Sequence, residues 1–486
     1  MDKKLIYDIG DKPKFGQMLI FALQQLLAIL AATIAVPTII GLPTQIPAAI
    51  LGAGIGTLVY QLFTKFKSPV FLGSSFAFLS SLGVAIAYGY CGIVLGSIVA
   101  GLVYVIIALI IHFTGTAWVD KLMPPVIIGP TVALIGLSLS GAAMGDIVRA
   151  NATTLYGSYN LVALLCGLIA FFTIVICSTQ KRVKMARLIP FIIGIAAGYA
   201  AAAILTFIGM AAHCDYLMII NFQPIIDNFV AADGSFRGIS AFIDYPHIAI
   251  LESIKELATG NLSPEILTAN PNAPLLNLGG IAEVVIAFLP VALVVFAEHI
   301  ADHKNLSSII DRDLIKEPGL TRTLLGDGVG SMAGTVFGIC PNTTYGESVG
   351  CIAITRNASI ATITTTAFMC IVLSFFSPLM VILQTIPSCV MGGVCLTLYG
   401  FIAVSGLKMF KNLDLDNNKN LFVVSSILIS GIGGLAIHIP YAIAENGAIT
   451  NTIQITSIAT ALIIGIITNR ILTRVENSKF GKEKDN

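Results

Sequence analysis

The chain has 486 residues, of which 56% are hydrophobic and only 11% charged, less than half the roughly 25% charged residues of a soluble domain. That composition excludes an ordinary soluble fold of this length. The net charge of +1 points to no nucleic-acid partner, so where the charges fall matters more than their sum. The nine cysteines are scattered through apolar runs with neither metal-ligand spacing nor a disulfide pattern. No nucleotide-binding or zinc motif is present, so no cofactor and no metal are expected. No nucleophile–base–oxyanion set can be assembled either, which argues against an enzyme.

Apolar runs recur along the whole chain, starting near residues 15, 47, 69, 91, 124, 159, 187, 278, 322, 341, 358, 387, 420 and 451. A run of about 20 apolar residues is long enough to cross a bilayer. The pattern therefore predicts an all-α polytopic membrane protein with fourteen transmembrane segments. With both termini in the cytoplasm, all of the 27 Lys and Arg except Arg149, Arg237 and Lys255 fall on the cytoplasmic side, as the positive-inside rule requires. A polar insertion, 211–277, separates seven segments from seven. Seven is odd, so two such halves form inverted repeats. A weak echo supports them: Met123-Pro124-Pro125-Val126-Ile127-Ile128-Gly129 opens segment five, and Ile386-Pro387-Ser388-Cys389-Val390-Met391-Gly392 opens segment twelve.

Short, Gly- and Pro-interrupted segments at matching places in two halves mark a transporter's binding site. Segment three reads Ser68-Pro69-Val70-Phe71-Leu72-Gly73-Ser74-Ser75-Phe76-Ala77-Phe78, and segment ten reads Pro341-Asn342-Thr343-Thr344-Tyr345-Gly346-Glu347-Ser348. Irregular polar backbone at membrane depth survives only when buried in protein or lining a cavity. Both segments are thus expected to be broken, half extended and half helical, meeting near the midplane.

Segment eight carries Glu298 and Asp302, four apart and hence on one helix face. Two like charges at that spacing in low dielectric do not both ionise cheaply, so one holds a proton near neutral pH. Ionisable residues inside membrane spans are costly and mostly functional. Glu298, Asp302 and Glu347 are the candidate acids. His299 reads as a packing or interhelical hydrogen-bonding residue, and His303 is placed at the cytoplasmic end, outside the site.

At these residues the chain resembles the nucleobase–ascorbate transporter family, closest to its bacterial uracil permeases. The run Glu347 to Arg356 matches the family signature except at Ser348, and Ala297-Glu298-His299 and Gly73 to Phe78 also read like that family. The likeness covers nearly the full length apart from 211–277. It implies a core domain from 15–113 and 278–384, a gate domain from 124–210 and 387–472, an extracellular insertion at 211–277, a homodimer, and residence in the bacterial inner membrane. It implies a proton-coupled symporter importing uracil by alternating access, in which Glu298, Glu347 and the backbone N–H groups of Phe76 and Gly346 bind substrate and Tyr345, Phe76, Ala32 and Tyr399 wall the pocket. Asp302, Glu298 and Gln25 would handle the coupled proton. Three positions depart from the pattern: Gln25 stands where the family often has His, Asp302 replaces the His of the uracil permeases as in purine-transporting relatives, and Ser348 replaces Asn. A xanthine or uric acid symporter stays open for that reason. So does an anion exchanger or channel on the related inverted-repeat fold, although a site built on two carboxylates disfavours it.

Overall fold

The computed structural model describes residues 5–154, 157–180, 182–183, 186–187, 189–231, 233–443 and 449–483. Lys3, Lys4, Lys181, Lys184 and Lys484 of the cytoplasmic charge set lie outside the described residues. The first half holds α1 (Phe15–Ile39), α2 (Ile46–Phe63), a short strand β1 (Leu72–Ser74) with α3 (Leu79–Ile86) behind it, and α4 (Gly89–Thr114). A connecting helix α5 (Ala117–Leu122) leads to α6 (Pro125–Ile147), the hairpin of β2 (Arg149–Thr154) and β3 (Gly157–Tyr159), then α7 (Leu161–Thr179) and α8 (Pro190–Ala212). The insertion contributes α9 (Gln223–Phe229), α10 (Ala249–Thr259) and α11 (Pro264–Ala269). The second half runs through α12 (Leu278–Ile310), α13 (Leu320–Phe337), strand β4 (Asn342–Thr344) with α14 (Gly346–Thr355) behind it, α15 (Ile360–Leu373) and α16 (Ser377–Gln384). It closes with α17 (Ser388–Lys408), α18 (Asn418–Ile432), the hairpin of β5 (Ile437–Ile443) and β6 (Ile449–Ile455), and α19 (Ser457–Glu483).

Among the described residues, nine helices are long and apolar enough to cross a membrane, and Phe76–Ile86, Ile360–Leu373 and Asn418–Ile432 are shorter apolar helices. The segment expected near 322 coincides with α13, which is less apolar because it holds Arg322, Asp327 and four glycines between 326 and 334. The start expected near 451 falls on β6, and the last helix begins only at Ser457. The alternating β-branched run Ile449, Ile453 and Ile455 favours a strand there.

The glycines of α13 have a packing role. A Cβ on Gly52 of α2 would lie 2.1 Å from the carbonyl oxygen of Gly334, so the two helices touch backbone to backbone. Between membrane helices, where lipid is as apolar as Leu, such close approach supplies the association energy through van der Waals contact. Two helix starts are capped by asparagine side chains. The Asn160 side chain accepts from Val162 and Ala163 N–H at the start of α7, and Asn277 accepts from Gly280 at the start of α12, each offsetting donors a helix start leaves unpaired.

The element that organises the centre is small. Strands β1 and β4 pair antiparallel, with Leu72 opposite Thr344, Gly73 opposite Thr343 and Ser74 opposite Asn342. The pairing continues at both ends through Ser75 N–H to the Pro341 carbonyl (3.0 Å) and Tyr345 N–H to the Phe71 carbonyl (3.1 Å). All six strand residues are buried. The two extended stretches satisfy each other's backbone groups, as burial in a membrane protein demands.

Candidate functional site

Behind each of these strands a helix begins. After β1 a single turn spans Phe76–Phe78 and continues into α3, and after β4 the helix α14 starts at Gly346. Neither start is capped by a side chain. The antiparallel pairing sets the two starts at opposite ends of one short ladder, where their N-terminal N–H groups carry the positive ends of the helix dipoles. Gly346 is exposed, and Glu347 in the first turn of α14 is half-buried.

The long helix α12 crosses beside them. Glu298 is half-buried, and its Oε2 is buried with no hydrogen-bond partner among the described residues. One turn on, the Asp302 carboxylate accepts from the Thr344 hydroxyl at 2.7 Å, so a strand residue and a helix acid are joined. A Cβ placed on Gly346 would lie 3.9 Å from Asp302 Oδ1, which puts this acid beside the start of α14. Glu298 lies within Coulombic range of Asp302, Glu347 and Asp327. Asp302 is only 6% exposed.

Aromatic rings and polar side chains complete the surroundings. Phe76 meets Tyr399 of α17 edge to face, with centroids 5.4 Å apart. The Tyr345 hydroxyl donates to the Ser74 carbonyl at 3.0 Å and lies 3.4 Å from the Thr33 hydroxyl. Its ring rests on Gly73, where a Cβ would come within 2.3 Å of two ring carbons. Ala32, beside Thr33 on α1, is fully buried. Gln25 of α1 donates to the Ser348 hydroxyl at 2.5 Å, so the residue at the usual His position engages the residue at the usual Asn position.

A second polar cluster lies deeper. His299 Nδ1 lies 2.7 Å from Asp327 Oδ2, and its Nε2 lies 3.1 Å from the Thr323 hydroxyl. The Thr343 hydroxyl donates to Asp327 at 3.4 Å. His303, expected at the cytoplasmic end, is fully buried. Its Nδ1 lies 2.8 Å from the His299 carbonyl, which can only accept, so Nδ1 carries the hydrogen and Nε2 accepts from the Tyr60 hydroxyl at 2.9 Å. The Ser68 hydroxyl stands 2.8 Å from that of Tyr60.

The residues that sequence reasoning passed over are Thr344 as the partner of Asp302, and Asp327 with Thr323 and Thr343 around His299. Asp327 carried a signal, being an acid inside the Gly-rich apolar run Leu325-Gly326-Asp327-Gly328.

Two paired strands each followed by an uncapped helix start, a buried carboxylate oxygen with no partner among the described residues and a cluster of acids within a multi-pass membrane protein describe a transporter rather than an enzyme. The model of the Permease family matches residues 16–439, and the chain belongs to that family, the nucleobase–ascorbate transporters. Among its relatives, the uracil permease of Bacillus caldolyticus is 35% identical over 475 residues, spanning 96% of this chain and 95% of that one. The uracil permease of Bacillus subtilis (strain 168) is 34% identical over 98% of this chain and 97% of its own. That of Escherichia coli (strain K12) is 32% identical over 92% of each. Solved structures with a similar fold include the transmembrane domain of the cyanobacterial bicarbonate transporter BicA. It has a TM-score of 0.54 at 15% identity, over 95% of this chain and 100% of that one. SLC26A9 has a TM-score of 0.58 at 10% identity, over 96% of this chain and 66% of that one. At those identities the likeness concerns the fold.

Proposed function

We propose that the protein is a proton-coupled symporter that takes up uracil across the bacterial inner membrane by alternating access. The observation that carries this reading is the pairing of an unpartnered buried carboxylate oxygen on Glu298 with two uncapped helix starts. Uracil has ring N–H donors and carbonyl acceptors. Carboxylates of Glu298 and Glu347 suit the donors, and the N–H groups of Phe76 and Gly346, at positive dipole ends, suit the carbonyls. Full-length relatives named as uracil permeases at 32–35% identity support the same substrate.

In this reading fourteen segments form two inverted repeats, with segments three and ten as the β1–α3 and β4–α14 units. The core comprises 15–113 and 278–384, the gate 124–210 and 387–472, and both termini are cytoplasmic. Phe76 from the core against Tyr399 from the gate marks where the two domains close over substrate, and Tyr345 and Ala32 back the pocket. Asp302 takes the coupled proton next to Glu298, with Gln25 bracing the α14 half-helix through Ser348. The working unit is a homodimer. Purine transport is the second reading, favoured by one observation: an acid, Asp302, and not a His, stands beside Gly346.

Calorimetric titration of uracil into purified protein tests the assignment. Glu298→Gln and Glu347→Gln should each weaken uracil binding, by about 1.5–3 kcal/mol, the scale of a hydrogen bond to a charged group. Unchanged affinity in both variants would remove these acids from the site.

A further inference from the structure

We propose that α10 of the insertion is an interfacial helix. Its Leu251, Ile254 and Leu257 face dips into the acyl boundary of the leaflet on that side, so the insertion is seated in the membrane and not held in water above it.

The sequence of α10, Ala-Ile-Leu-Glu-Ser-Ile-Lys-Glu-Leu-Ala-Thr, divides into three sectors at 3.6 residues per turn. Ala249, Ser253 and Glu256 form the buried sector. Leu251, Ile254 and Leu257 form a second, exposed by 52%, 55% and 68%, centred roughly 120° round the helix from the first. Glu252 and Lys255 lie on the third side, joined by a 2.7 Å ion pair with the Lys255 side chain 67% exposed. A helix with protein on one side, apolar residues on the next and charges on the last fits the periphery of a membrane protein at the water boundary.

Its height is fixed by what the buried sector touches. Glu256 Oε2 accepts from the N–H of Tyr90 at 2.9 Å and of Cys91 at 3.4 Å, so it caps the start of α4. Its other oxygen accepts from Ser263 N–H at 3.1 Å. Ala249 N–H donates to the carbonyl of Gly338, just past the end of α13, at 3.2 Å. At 26 residues α4 is about 39 Å long, more than the ~30 Å hydrocarbon core, so its first turn stands at the boundary and α10 lies across it. Gly89, ahead of that turn, has φ +70° and would place a Cβ 2.5 Å from Glu256 Oε2, so the close fit requires glycine.

Further exposed apolar residues lie on a neighbouring helix. Tyr88, next to the start of α4, donates to Glu283 of α12 at 2.5 Å, which brings the first turn of α12 to the same level. That turn exposes Leu278 by 86% and Ile281 by 38%. Burying the α10 sector in the same leaflet extends this surface, and a Lys255 on the far side keeps its ammonium in water.

The test uses full-length protein in phosphatidylcholine vesicles, with the single native tryptophan removed by Trp118→Phe and one tryptophan introduced by Ile254→Trp, Leu257→Trp or Lys255→Trp. Lipid brominated on its acyl chains should quench the emission at 254 and 257 at least twofold while aqueous iodide leaves it unchanged. At 255 iodide should quench and brominated lipid should not. Either 254 or 257 decides the matter if the other variant does not fold. Iodide quenching at 254 and 257 would put the face in water, and quenching by neither agent would put it under another protein chain; each result overturns the proposal.

Discussion

Asp302 joins a helix acid to a strand: its carboxylate takes the Thr344 hydroxyl at 2.7 Å while the acid stands beside the start of α14. An asparagine at 302 keeps an oxygen for Thr344 to donate to but cannot exchange a proton. Asp302→Asn should therefore keep uracil binding and uracil-for-uracil counterflow, and lose accumulation driven by a proton gradient. Both activities are to be read in one liposome preparation. If the variant still concentrates uracil as steeply as the parent, the coupled proton must be sought on Glu298. The alternative, an acid that only braces the fold, predicts a variant that loses both activities together. At Ser348 the structure resolves a departure from the family signature. Gln25 reaches it at 2.5 Å, and Ser348→Ala should lower uracil affinity by about 0.5–1.5 kcal/mol by freeing Gln25, measured by calorimetry; unchanged affinity would make the pair packing alone.

At the scale of elements, the account rests on the two strand-plus-helix units. Their register depends on Gly73, because Tyr345 lies flat against it with a would-be Cβ 2.3 Å from the ring. Gly73→Ala should push Tyr345 off the Ser74 carbonyl and cost about 1–3 kcal/mol, as overpacking does. Thermal unfolding in detergent checks this, and an unchanged midpoint would show that the ring has room to move. The Pro, Gly and polar residues that interrupt these two runs were legible in the sequence. Pro69, Gly73 and Ser74 in one run and Pro341, Asn342 and Gly346 in the other do not sit in plain spanning helices, and the strands and short helices fall on those residues. What joins the elements was not legible. Asp302 finds Thr344 42 residues on and His299 finds Asp327 28 residues on. Those distances along the chain are set by how α12 crosses α13 and β4, which no local pattern encodes. The burial of His303 was not legible either, because Tyr60, its neighbour, comes from α2.

The whole molecule divides its polar groups by depth. Glu298 and Glu347 are half-buried and Gly346 is exposed. The His299–Asp327 and His303–Tyr60 clusters are sealed among α2, α12 and α13, where they fix how those helices pack. The insertion clamps the far ends of α4 and α13 through Glu256 and Ala249. Uptake by the intact protein tests the central claim, that the cluster of Glu298 and Glu347 carries uracil with a proton. Full-length protein in liposomes is given labelled uracil or labelled xanthine, with and without an inwardly directed proton gradient. The account predicts that uracil accumulates above its external concentration only when the gradient is present, and that xanthine accumulates far less. Accumulation of xanthine in preference to uracil, or uracil accumulation indifferent to the gradient, would contradict it.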